Sequence, residues 1–194
     1  MCSALASVLV NVLWRTLLVT LRAKLRVRGG GHRPLTEVHR IRLRVLPTDI
    51  DMLRHLNNGR YLSLFDLGRW DMLERTGLTG VLRARRWYPV VSSETITFRK
   101  SLGLWQRFDL ETRWIGRDDR ALYMEHRAVV GGEVYARAII RARLLGPGGP
   151  VAHDDLFAAV EVPEGLPEVA AWIHDWADAS ALPSTRRPAP SVWD

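Results

Sequence analysis

The chain has 194 residues, 47% hydrophobic and 25% charged, the balance of one globular domain with a sizeable core plus extensions. A single cysteine, Cys2, excludes an internal disulfide framework and points to a reducing compartment. The net charge of +7 and a pI near 10.4 invite a nucleic-acid reading, but the cations are nearly all arginines alternating with apolar residues, the pattern of a solvated sheet face, so a nucleic-acid partner is not expected.

Residues 1–28 are apolar at helical spacing and end in Arg22, Lys24, Arg26 and Arg28. Ser7, Asn11, Arg15 and Arg22 form a polar stripe that interrupts a membrane span. Positive charge after the apolar run is the reverse of a signal peptide. Two readings stand: an interfacial helix with its basic flank on the cytoplasmic side of a membrane, or a helix docked on the protein's own core. Residues 29–37, with Gly29 to Gly31 and Pro34, read as a linker.

Residues 39–46 alternate Ile41, Leu43 and Val45 with arginine, as in a half-buried strand. A polar loop follows, holding Asp49, Asp51, His55, Asn57 and Asn58. From Asn58 to Thr76 the spacing predicts a helix apolar on most sides, with Tyr61, Phe65, Gly68 and Met72 on one face and Gly77 as its stop. Such a helix must be buried. Residues 88–102, 106–117, 120–130 and 133–145 read as four antiparallel strands with hairpin signals at Asp118-Asp119 and Gly131-Gly132. The fold class is therefore α+β: a curled antiparallel sheet of five or six strands around a long central helix, spanning residues 38–146. The tail, 147–194, carries one helix over 167–182 and an acidic balance of eight acids against two arginines. The chain has no glycine-rich phosphate loop, no His/Cys cluster at zinc spacing and no Gly-x-Ser-x-Gly elbow, so neither a metal nor a redox cofactor is expected.

The run Asp49, Asp51, His55, Asn57, Asn58, Tyr61 resembles the signature of hotdog-fold acyl-CoA thioesterases of the 4-hydroxybenzoyl-CoA thioesterase type. The stretches RVLPTDIDMLRHLNNGRYL and GRDDRALYMEHRAV most resemble the thioesterase superfamily member six branch. The resemblance implies a hotdog fold and hydrolysis of an acyl thioester, with coenzyme A as part of the substrate. It places Asp51 as nucleophile or general base, His55 beside it, and Asn57 or Asn58 at the helix cap, with Asn58 counted in the catalytic set. Tyr61 and Phe65 would meet the acyl group, as would Val91 and Ser92 on the strand that lines the tunnel in such enzymes. Arg99 and Lys100, or Arg83, Arg85 and Arg86, would meet the phosphates.

The bland readings are turn residues for Asp49 and Asp51, an ordinary loop histidine for His55 and structural roles for Glu125 and His126. Asp66 or Glu94 could supply a second acid. Arg54 stands where such enzymes often have glycine, and Leu53 where related acyl-carrier thioesterases have asparagine. The Arg54 departure and the apolar N-terminal helix motivate an alternative: a non-catalytic, membrane-associated protein that binds acyl thioesters or lipids. A homodimer, or a dimer of dimers, is expected because a curled sheet has two edges to hide. The expected location is cytoplasmic, with the inner face of a membrane as the peripheral site.

Overall fold

The computed structural model describes residues 2–159, 168–184 and 186–192, with side chains from residue 12 onward. Strand β1 (His39–Arg44) is followed by a single 3-10 turn, Pro47–Asp49, and by the central helix α2 (Asn58–Arg75). Helix α3 (Leu78–Arg85) comes next, then β2 (Tyr88–Phe98), β3 (Arg107–Arg117), β4 (Leu122–Val130), β5 (Glu133–Gly146) and the two-residue β6 (Gly149–Pro150). All pairings are antiparallel, in the order β1-β3-β4-β5-β2, with β6 beside β5. The expected curled sheet around a buried helix is present.

Alternation decides which residues meet the helix. In β1 the buried residues are His39, Ile41 and Leu43, while Arg40, Arg42 and Arg44 face out. Helix α2 buries Tyr61, Leu64, Phe65, Leu67, Gly68 and Met72. Opposite it the strands carry Ala128, Ala136, Ala138 and Ala142, all buried. These small side chains leave room for a helix backbone. Gly68 is the tightest point, since a Cβ there would lie 2.3 Å from Thr112 Oγ1 and 3.0 Å from Leu110 Cδ2. Asp71 is also buried, with Arg75 Nη1 donating to its Oδ2 at 3.2 Å, so this i,i+4 pair belongs to the interior and not to an exposed face.

The structure differs from expectation at three places. Gly29 and Gly30 are the end of helix α1 (Cys2–Gly30) rather than linker, and the chain leaves the helix at Gly31, where φ is +76°. Residues 78–85 form α3, where no helix was expected. Its sequence LTGVLRAR is too short for a clear period, and it starts straight after Gly77, which is left-handed at φ +79°. Among the described residues the tail holds two helices, α4 (His153–Ala159) and α5 (Ala171–Ala179), in place of one over 167–182. Residue 167 lies outside the described residues.

Both terminal extensions pack on the domain. Helix α5 sets Ile173 and Ala177 on the outer sheet face against Ile115, Tyr123 and Ile139, a second small core. Helix α1 lies along α2 with Val19 and Ala23 buried. Charges clamp it there: Arg15 Nη1 reaches Asp49 at 2.7 Å, Arg26 Nη1 is 3.6 Å from Asp71, and Lys24 is 3.9 Å from Glu74. No helix among the described residues is long and apolar enough to cross a membrane.

Candidate active site

The loop between β1 and α2 is held from several sides. Asp49 is fully buried, and its carboxylate accepts from the Leu46 N–H at 3.0 Å, from Arg15 at 2.7 Å and from Arg60 at 3.1 Å. Its carbonyl accepts from the Asn57 N–H at 2.9 Å. Two charge-assisted partners and a backbone donor satisfy a carboxylate that burial alone would penalise. Asp49 is thus a structural pin between β1, α1 and α2.

Asp51 and His55 lie on the exposed side of the pin, at a tight turn. The Arg54 N–H donates to the Asp51 carbonyl at 3.0 Å, and the Asp51 N–H to the His55 carbonyl at 3.1 Å. The turn puts Arg54 at φ +64° with its side chain outside. A left-handed backbone there accounts for the glycine often found at this position in the enzymes the loop resembles. Asp51 Oδ1 accepts from the Leu53 N–H at 2.9 Å and is 3.8 Å from His55 Nδ1. Oδ2 makes no hydrogen bond among the described residues.

The helix cap is Asn57, not Asn58. The Asn57 Oδ1 accepts from the Gly59 N–H at 2.9 Å, and its carbonyl from the Arg60 N–H at 2.9 Å. Asn58 is therefore the first helical residue, its own N–H has no partner among the described residues, and its side chain lines the cleft beside Asp51. Unsatisfied N–H groups at a helix start carry partial positive charge.

Together Asp51, Leu53, His55, Leu56, Asn58 and Tyr61 line a cleft of about 320 Å³, completed by residues 98–101. Tyr61 packs edge-on against Phe98, with centroids 5.1 Å apart, and burial raises its phenol above the usual range despite a hydrogen bond with the Leu102 backbone. Arg99 and Lys100 reach the cleft but are engaged, donating to Glu133 at 2.7 and 2.6 Å. Lys100 and Arg99 in turn hold the Glu133 carboxyl below the ordinary carboxylate range.

Three expected substrate contacts lie elsewhere. Phe65 is fully buried, between Tyr61 and the stacked ring of His126. Val91 lines a separate apolar pocket of about 170 Å³, with Trp70, Leu73 and Met124. Ser92 sits at a β-bulge between Val91 and Ser93, its hydroxyl donating to the Arg141 carbonyl at 3.1 Å. The bulge shifts the facing of β2, which simple alternation does not foresee. Asp66 and Glu94 both pair with Arg69, and Asp66 lies at the mouth of that second pocket, not in the Asp51 cleft. Leu53, Leu56, Phe98 and Ser101 are the cleft residues that sequence reasoning missed; for Phe98 and Ser101 the available signal was their place beside Arg99 and Lys100.

His126 is fully buried, its Nδ1 sharing a hydrogen bond of 2.9 Å with Thr112 Oγ1. Burial first, and Arg69 second, hold its imidazole well below the usual histidine range. Glu125, on the same strand, accepts from Arg127 at 2.6 Å and pairs with Arg137 at 3.3 Å.

A long helix in the curl of an antiparallel sheet, with a polar loop at its amino end, defines the hotdog thioesterase fold. Residues 45–173 match the family model of the thioesterase-like superfamily, and the chain belongs to that superfamily. Protein THEM6 of Xenopus laevis is 36% identical over 132 residues, covering 66% of this chain and 64% of that protein, and THEM6 of Danio rerio is 37% identical over 100 residues, 52% of this chain and 50% of that one. The chain thus spans less than two thirds of the length of these relatives. Among solved structures, the probable thioesterase YbaW of Escherichia coli superposes with a TM-score of 0.59 at 21% identity, over 62% of this chain and 94% of that one. The gentisyl-coenzyme A thioesterase BH1999 superposes with a TM-score of 0.54 at 18% identity, over 63% and 99%.

Proposed function

We propose that the chain is an acyl-CoA thioesterase in which Asp51 acts as general base in the cleft at the start of α2. The observation that carries this reading is the meeting, in one cleft, of a carboxylate with a free oxygen and a helix start with a free N–H. Thioester hydrolysis needs both groups. Oδ1 is fixed by the Leu53 N–H, which leaves Oδ2 to take a proton from water. The water oxygen attacks the thioester carbonyl carbon, and the negative charge that develops on the carbonyl oxygen is met by the Asn58 N–H. The intermediate collapses with cleavage of the carbon–sulfur bond, and the thiolate recovers the proton from Asp51. His55 borders the same carboxylate at 3.8 Å. Direct attack by Oδ2 is the other route open to the same carboxylate, through an acyl-enzyme anhydride that water then cleaves.

Tyr61, Phe98, Leu53 and Leu56 supply apolar wall for the acyl group, and Arg99 and Lys100 suit a phosphate that competes with Glu133. The bare edge of the sheet, β2, carries half-exposed Tyr88, Val90, Val91 and Phe98. Pairing of two copies along β2 would cover them and gives the proposed homodimer.

The test is thiol release from a panel of acyl-CoA chain lengths. Asp51→Asn and Asp51→Ala should each lower turnover by at least about a hundredfold, the lower end of what a positioned base contributes, with circular dichroism unchanged. Full turnover in Asp51→Ala would remove Asp51 from the mechanism. Binding of acyl-CoA by the unaltered chain with no thiol released would instead favour the non-catalytic reading.

A further inference from the structure

Helix α1 has two faces, and the domain uses only one. At 100° per residue, Arg15, Val19, Ala23 and Arg26 share the side turned to α2, where Val19 and Ala23 are buried and both arginines find carboxylates. Trp14, Leu17, Leu21, Leu25 and Arg28 fall within an arc of about 80° on the opposite side. The four apolar members of that arc are 60%, 56%, 52% and 55% exposed, and Leu13, on its flank, is 64% exposed. A line of large apolar side chains along one helix face is not an ordinary solvent surface.

We propose that the outer face of α1 lies on an anionic lipid surface, parallel to the bilayer plane. The charge distribution selects this occupant. The sequence holds no acid before Glu37, while cations close the far end of the apolar line. Arg28, within the arc, and Arg22, exposed about 60° beyond its edge at Leu25, have no carboxylate partner among the described residues, and Lys24 flanks the stripe with a half-exposed side chain. Basic groups beside an apolar stripe match anionic headgroups above an acyl layer. A second copy of α1 set parallel against this face would oppose cation to cation, and an antiparallel one would leave the basic ends without anionic partners. Lying flat also agrees with the absence, among the described residues, of a helix able to cross a membrane. The ion pairs on the inner face keep the domain attached to the same helix that meets the lipid, so the contact holds the whole domain at the surface instead of tethering it.

The experiment is flotation of the full chain with vesicles of phosphatidylcholine containing phosphatidylglycerol, and with pure phosphatidylcholine. The protein floats with the anionic vesicles and is largely released by salt raised to about 0.5 M, where charges are screened within a few ångströms. Leu17→Glu/Leu21→Glu lowers the bound-to-free ratio by at least about tenfold, the order expected for one lost leucine side chain. Arg22→Gln and Arg28→Gln each lower it roughly fivefold on anionic vesicles. These arginines lie at the surface, so their variants keep the test decisive if the leucine variant fails to fold. No flotation with anionic vesicles, or equal flotation of the arginine variants and the parent, overturns the proposal. So does a fall in molecular mass of the lipid-free leucine variant without vesicle binding by the parent, which would make the stripe a contact between copies. The assay reads binding alone and does not depend on thioester turnover.

Discussion

Replacing Arg15 by methionine tests whether α1 is part of the folded domain and whether the pin at Asp49 governs the loop. Arg15 Nη1 donates to Asp49 Oδ2 at 2.7 Å, and Nη2 to the Arg44 carbonyl at 3.1 Å. The Arg15 side chain is 11% exposed and that of Asp49 is 0%. Removing one partner of a buried pair typically costs about 3–5 kcal/mol. Here Asp49 keeps Arg60 and the Leu46 N–H, so the expected loss is about 2–3 kcal/mol. For a chain of this size that is a fall in melting temperature of roughly 5–10 °C. Asp49→Asn in the same background completes a double-mutant cycle, with an expected coupling of about 2 kcal/mol read from urea denaturation. Because the Asp49 carbonyl also holds the Asn57 N–H at the helix cap, the loop should loosen. Proton exchange at residues 49–57 should rise well beyond the change at β4 and β5. A cost below about 0.5 kcal/mol, with exchange in the loop unchanged, would refute the reasoning and make α1 a passenger on the domain.

Gly68→Ala should destabilise by about 1–3 kcal/mol in denaturant titration, because the new methyl collides with Thr112 Oγ1 and displaces it from His126. Arg54→Gly should be stabilising by about 0.5–1 kcal/mol in the same assay, through relief of a left-handed backbone, whereas Arg54→Val should destabilise. Stability should fall as the pH drops below about 6.5, the ordinary histidine value. The folded His126 imidazole titrates well below that value, so between the two the unfolded chain binds the extra proton and acid favours unfolding. His39 and His153, also lowered chiefly by burial, act in the same direction. His126→Gln should flatten the dependence of unfolding free energy on pH between 5 and 6.5 by up to about 1.4 kcal/mol per pH unit, and an unchanged slope would contradict the assignment.

The strands and the central helix were legible because their signal is local. Alternation in residues 39–45 and the helical period over 58–76 declare a buried face without knowledge of any partner. The role of Asp49 was not, since its two arginines stand 34 positions before it and 11 after. Nothing near Asp49 distinguishes a buried pin from a turn residue. Asn57 and Asn58 are neighbours of the same type, and only backbone geometry decides which one caps. Val91 and Ser92 stand at a bulge, which leaves no periodic trace, and lie outside the Asp51 cleft. For α1 the two readings weighed from sequence, core packing and an interfacial position, concern different faces of one helix.

The two margins of the sheet are unlike. On β1, Arg40, Arg42 and Arg44 project outward, Arg40 and Arg42 tied to Glu111 and Asp109 on the neighbouring strand. On β2 the large side chains left uncovered, Tyr88, Val90, Val91 and Phe98, are aromatic or aliphatic, with the small polar Ser92 and Thr97 exposed among them. In the homodimer proposed above, joining β2 to β2 would use the more apolar hem of each copy. The outer borders of such a pair would be the two arginine-bearing β1 strands, which oppose further growth into a fibre.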